Sequence, residues 1–95
     1  MIIVKSIEAD GVTHELTFKF GTMCQAERQL GKPLPDVFSG GMGFDTISVV
    51  FWAALGGKMS IDESNDLIDR AGVSKVLPVV SEGIADYFGS GSGGE

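Results

Sequence analysis

In Ile7-Glu-Ala-Asp10-Gly11-Val-Thr-His14-Glu-Leu16-Thr-Phe18, an Asp-Gly pair separates two runs rich in β-forming residues. Asp10 and Gly11 supply the two positive-φ positions of a type I′ turn, whose twist matches that of paired strands. Beyond the turn, Val12, His14, Leu16, Phe18 and Phe20 fall on one face, and Thr13, Glu15, Thr17 and Lys19 on the other. A two-residue turn sets Ile7 opposite His14 and Ile3 opposite Phe18. A three-residue loop would set Ile3 against Thr17 and mix the faces, so the two-residue register is expected.

Outward from this hairpin the pattern turns helical. Gly21-Thr22 ends the second strand, and Thr22 is expected to cap a helix to Leu30, with Met23, Ala26 and Leu30 inward and Gly31 as its stop. Lys32-Pro33 blocks continuation. Residues 34–43 hold Pro35 and glycines 40, 41 and 43 around Val37 and Phe38, which predicts a connector with at most one helical turn. Asp45 is the expected N-cap of a helix to Leu55, stopped by Gly56-Gly57. Its residues Ile47, Val50, Phe51, Ala54 and Leu55 share one face, while Val49, Trp52 and Ala53 occupy the other side. A helix that is apolar all round is either central to a core or covered by a partner.

Ser60 and Glu63 form a capping-box pattern opening a helix to Ala71, with Ile61, Leu67, Ile68 and Ala71 as its apolar stripe and Asp62, Asp66 and Asp69 on the solvated side. Gly72 ends it. Ser74 is the expected cap of a last helix, in which Pro78 lies near enough to the start to be tolerated. Val76, Leu77, Val80, Ile84, Tyr87 and Phe88 fall within about 140° of arc. After Phe88, Gly-Ser-Gly-Ser-Gly-Gly-Glu has no side chain to offset the entropy of ordering and reads as a flexible tail. The expectation is a single α+β domain over 1–88, an antiparallel hairpin packed on a bundle of about four short helices, followed by a tail over 89–95.

Ninety-five residues suit one domain, and 43% hydrophobic content with 21% charged is too apolar for a disordered chain. The longest apolar stretch, residues 47–55 with Ser48 inside it, is about half a membrane span. The N-terminus lacks the basic residues and apolar run of a secretion signal. A soluble protein of the cytoplasm is expected. Cys24 is the only cysteine, which rules out an intramolecular disulfide and a thiolate metal cluster. A net charge of −6 opposes attraction to nucleic acid and anionic lipid.

Tests for chemistry fail one after another. His14 and Cys24 are the only residues of their kinds, and a catalytic pair would need both together with an orienting group. Asp62, Ser64 and Asp66 match the first three ligand positions of a calcium loop. Leu67 then stands where the loop needs glycine and Val73 where it needs glutamate. Glycines 40, 41 and 43 lack the lysine and hydroxyl residue of a phosphate loop. No enzyme, cofactor or metal is expected.

The order of hairpin, Phe-Gly helix start, Leu-Gly stop, apolar tryptophan helix, capped acidic helix and final amphipathic helix resembles the tail assembly chaperones of long-tailed bacteriophages and gene transfer agents. The residues that carry the resemblance are Leu16-Thr-Phe-Lys-Phe-Gly21, 27–31, 50–57 with its Phe-Trp-Ala-Ala-Leu, and Ser60-Ile-Asp-Glu63 leading into Leu67-Ile68. They span roughly residues 14–88, and each is also explained as strand, cap or core. The resemblance implies a non-enzymatic protein that binds the tape-measure protein, keeps it soluble, recruits tail-tube subunits and leaves before the particle matures. It also makes a frameshifted longer form compatible with the Gly/Ser-rich end. The competing expectation is a structural virion component such as a small head-tail connector or tube-associated subunit. Phe38, Met42, Phe44, Val49 and Trp52 are the candidate partner contacts, for a tape-measure-like helix or for self-association, Val49 because it lies on the other side of the apolar helix and the rest because aromatic and Met side chains are enriched in binding patches. The alternative is that Trp52 and Phe44 are core.

Overall fold

Asp10 and Gly11 have φ of 55° and 78°, the pair of left-handed conformations that a type I′ turn needs. The computed structural model describes residues 2–33 and 43–92. β1 (Ile3–Ala9) and β2 (Val12–Phe18) pair antiparallel, with Ile3 opposite Phe18 and Ile7 opposite His14, the two-residue register. Ile7, Ala9, Leu16 and Phe18 point into the core, whereas Val4, Ser6, Glu8, Thr13 and Glu15 are exposed on the outer face. Lys5, opposite Leu16, lies on the core side of the sheet. Its ammonium nitrogen reaches Asp86 Oδ2 at 2.9 Å and Glu82 Oε1 at 3.8 Å.

Four helices follow among the described residues: α1 (Phe20–Leu30), α2 (Phe44–Ala54), α3 (Ile61–Ala71) and α4 (Val73–Ser92). The fold is therefore α+β, a hairpin packed on helices. Several helix starts differ from the sequence expectation. α1 begins two residues before Thr22, and the Thr22 hydroxyl donates instead to the Thr17 carbonyl at 2.8 Å, tying the helix back to the strand it leaves. Phe20 belongs to this first turn rather than to the strand and is exposed. Gly31 stops α1 in the left-handed conformation, its N–H donating to the Glu27 carbonyl at 2.8 Å.

α2 starts from Gly43, so Asp45 lies in the first turn and not at the cap. There its charge complements the helix dipole without capping a backbone N–H. The box at Ser60 forms in both directions: Glu63 N–H donates to Ser60 Oγ at 3.1 Å and Ser60 N–H to Glu63 Oε1 at 3.0 Å. Gly72, at φ 103°, turns the chain straight into α4, which begins one residue before the expected Ser74 cap. α4 then continues through Ser92, so residues 89–92 extend the helix where a tail was expected to begin at 89. Residues 93–95 of that tail, and the connector over 34–42, lie outside the described residues.

The largest departure is the placement of α2. It packs against α1, α3, α4 and β2 together, and Thr46, Ile47, Val49, Val50, Phe51, Ala53 and Ala54 are all buried. Of the two alternatives for a helix apolar all round, the structure shows the central one: three helices and β2 of the hairpin pack around it. α3 contributes Leu67 and Ala71, and α4 contributes Val76, Val80 and Ile84 to the same core.

Candidate functional site

Among the described residues, the candidate contacts Phe44, Val49 and Trp52 do not form one patch. Val49 is only 8% exposed and belongs to the core, which removes it from any surface. Trp52 is half-buried against the core, and its indole N–H donates to the Met59 carbonyl at 2.6 Å, clasping the chain that leads into α3. Phe44 is 79% exposed, at the first position of α2. Phe38 and Met42 lie outside the described residues.

Phe44 instead borders a hollow of about 340 Å³ between the first turns of α2, the outer part of α3 and the first turns of α4. Val73, 42% exposed, shares this border with the half-buried Ile68 and Leu77. Asp45 and Asp69 stand on the rim, and among the described residues no lysine or arginine lines it. Below them the Ser48 hydroxyl donates to Asn65 Oδ1, linking α2 to α3 at the side of the hollow. The elements explain the exposure. Gly72 holds the start of α4 so close to the end of α3 that Val73 projects outward, and α2 begins at Phe44 before it has entered the core.

Sequence reasoning singled out Phe44 but assigned Leu77 and Ile68 to the core and gave Val73 no role beyond failing the calcium pattern. For Leu77 the signal is the breadth of the apolar arc on α4. An arc of about 140° is wider than one packing contact needs, and Leu77 lies toward its outer side while Val76 and Val80 fill the core.

No family model, curated protein or solved structure matches this chain.

A second hollow, bordered by His14, Met59, Glu63, Asp66, Leu67 and Arg70, is more polar. Arg70 is engaged there by Asp10, Nε to Oδ2 at 2.9 Å, a bridge from α3 to the hairpin turn. Among the described residues, no three or more His, Cys, Asp or Glu side chains converge as a metal site, and no helix is long and apolar enough to cross a membrane. Cys24 is half-buried on α1. Lys5 faces two carboxylates of α4. Its hydrogen bond with Asp86 raises the ammonium pKa above the ordinary 10.5, desolvation opposes this, and the charges of Asp86 and Glu82 add to it. That ion pair joins β1 to α4 and is structural. The geometry at the Phe44 hollow offers apolar contact and negative charge, which is the chemistry of binding.

Proposed function

We propose that this chain is a non-enzymatic tail assembly chaperone that binds a tape-measure protein in the bacterial cytoplasm, assists tail-tube assembly and is absent from the mature particle. The observation that carries the reading is the apolar hollow around Phe44 and Val73 on an acidic chain, since a protein that keeps a long apolar helix soluble needs an exposed apolar contact on a soluble surface. The stretches that carry the resemblance support it further. Residues 16–21 join β2 to α1, 27–31 are the end of α1 and its glycine stop, 50–57 are the second half of α2 with its exit turn, and Ser60 to Glu63 are the box of α3.

Coexpression with a tape-measure protein is the test. The chaperone reading expects the tape-measure protein to move from the insoluble to the soluble fraction, to co-purify with this chain, and this chain to be missing from purified particles. A tape-measure protein that stays insoluble would overturn the reading. Stoichiometric retention in purified particles would replace it with a structural virion component.

A further inference from the structure

The hollow bounded by Phe44, Ile68, Val73 and Leu77 has an apolar floor and a rim whose charged members, Asp45 and Asp69, are both acidic. Beyond the rim, Asp62 is exposed on α3, whereas Asp66 borders the second, more polar hollow. Asp69 lies seven positions along α3 from Asp62, about 10 Å along the axis at 1.5 Å per residue. An apolar trough with two carboxylates on its rim is therefore the local geometry. From it we infer that the hollow is a docking groove for a basic amphipathic helix, one that places apolar side chains at i, i+3 or i+4 against Phe44 and Val73 and its Lys or Arg residues against Asp45 and Asp69. The inference rests on the chaperone reading in that it names the chemistry of the partner segment and where it binds.

Charge complementarity selects this occupant over the others. A second copy of the chain would bring another net −6 to an acidic rim, so self-association through this groove is opposed electrostatically. An acidic helix meets the same repulsion. A small apolar ligand would leave Asp45 and Asp69 unused and would find an open trough rather than an enclosing pocket. A basic helix uses both halves of the site, its apolar face for affinity and its charged flank for orientation and rate.

The experiment uses the full chain and two synthetic helical peptides of about 18 residues, roughly 27 Å long. One has leucine on one face and lysine on the other; its counterpart has glutamate in place of lysine. Calorimetric titration is run at low and moderate salt on the unaltered chain and three variants, each checked for an unchanged melt. Phe44→Ser with Val73→Ser removes the apolar border, and Asp45→Asn with Asp69→Asn removes the rim charge. Glu8→Gln with Glu15→Gln removes the same amount of charge from the outer face of the hairpin.

The expected result is binding of the lysine peptide alone, weakened by salt, weakened about tenfold or more by each groove variant and changed less than about twofold by the hairpin variant. Failure of the lysine peptide to bind, or equal weakening by all three variants, overturns the inference, the second outcome meaning general charge attraction. A dimer of the unaltered chain that the Phe44→Ser, Val73→Ser variant dissolves overturns it in favour of a second copy. The chaperone reading is judged separately by co-purification with a tape-measure protein. If the groove variant still retains that partner, the groove is refuted and the chaperone reading survives. If the lysine peptide binds the groove but no tape-measure protein is retained, the chaperone reading falls and the groove stands.

Discussion

Gly83 sits where the ring of Phe18 meets the backbone of α4. A Cβ built on it would lie 2.7 Å from Phe18 Cδ1 and closer still to Cε1 and Cζ. Phe18 is completely buried on β2, so the ring cannot swing out as the tip of a surface side chain would. Alanine is the better helix former by about 1 kcal/mol, but the overlap wins, and Gly83→Ala is expected to lower stability by about 1–3 kcal/mol in chemical denaturation. Ile84, next along the helix and buried, should lose about 2–5 kcal/mol on truncation to alanine. Leu77→Ala should lose clearly less, because Leu77 is only partly buried, at the edge of the groove; equal losses would mean that the groove is closed. Trp52 belongs with the structural residues on this scale. Trp52→Phe keeps most of the packing but removes the N–H that serves the Met59 carbonyl, a loss of about 1 kcal/mol.

Between elements, polar contacts decide how neighbours are held. Lys5 joins β1 to α4 through Asp86 and Glu82. Because its pKa is raised in the folded chain, its contribution is fully present below the unfolded value of 10.5 and is lost as pH rises through the higher folded value. Melting temperature measured across that alkaline range should therefore fall more steeply for the unaltered chain than for Lys5→Met, and parallel curves would show the pair to be idle. At α3 the reciprocal cap is the stabilising device: Ser60→Ala should cost about 1 kcal/mol, with Glu63→Ala adding little on top because the two act as one unit. This box was legible in the sequence because its two partners are three residues apart and its geometry is local. Thr22, Asp45 and Ser74 have the right chemistry for caps but are not used as such. Thr22 finds the Thr17 carbonyl, a partner supplied by the strand, and α2 and α4 each start earlier from a glycine. Local preference names the residues that can cap, and the packing of the helix decides which backbone position needs it.

At the scale of the molecule, the hairpin register and the stripes on α3 and α4 could be read from the sequence, since alternation and helical period act within a few residues. The enclosure of α2 could not, because it depends on four elements converging from distant parts of the chain. Its composition did state the alternatives: apolar groups on every side mean either a central helix or a partner-covered one. The small side chains Ala53 and Ala54 make the first arrangement possible by letting neighbouring elements approach closely. The same fact explains why the candidate site was only partly legible. Attention fell on the back of α2, which is core, while the exposed apolar side chains arose at the starts of α2 and α4, where two helices emerge from the core side by side. Enclosure on four sides carries its own forecast. A helix covered by α1, α3, α4 and β2 can open only if those elements separate, so the amides of Ile47 to Ala54 should exchange with solvent solely through global unfolding. Hydrogen exchange at rising denaturant should give these amides a protection free energy equal to the global stability, with a denaturant dependence matching the whole-chain transition. Val49→Ser should lower both by the same amount, whereas Phe44→Ser should leave both unchanged. Local opening of α2 at a free energy well below the global value would refute the enclosure and return Val49 to the surface, where a partner would have to cover it.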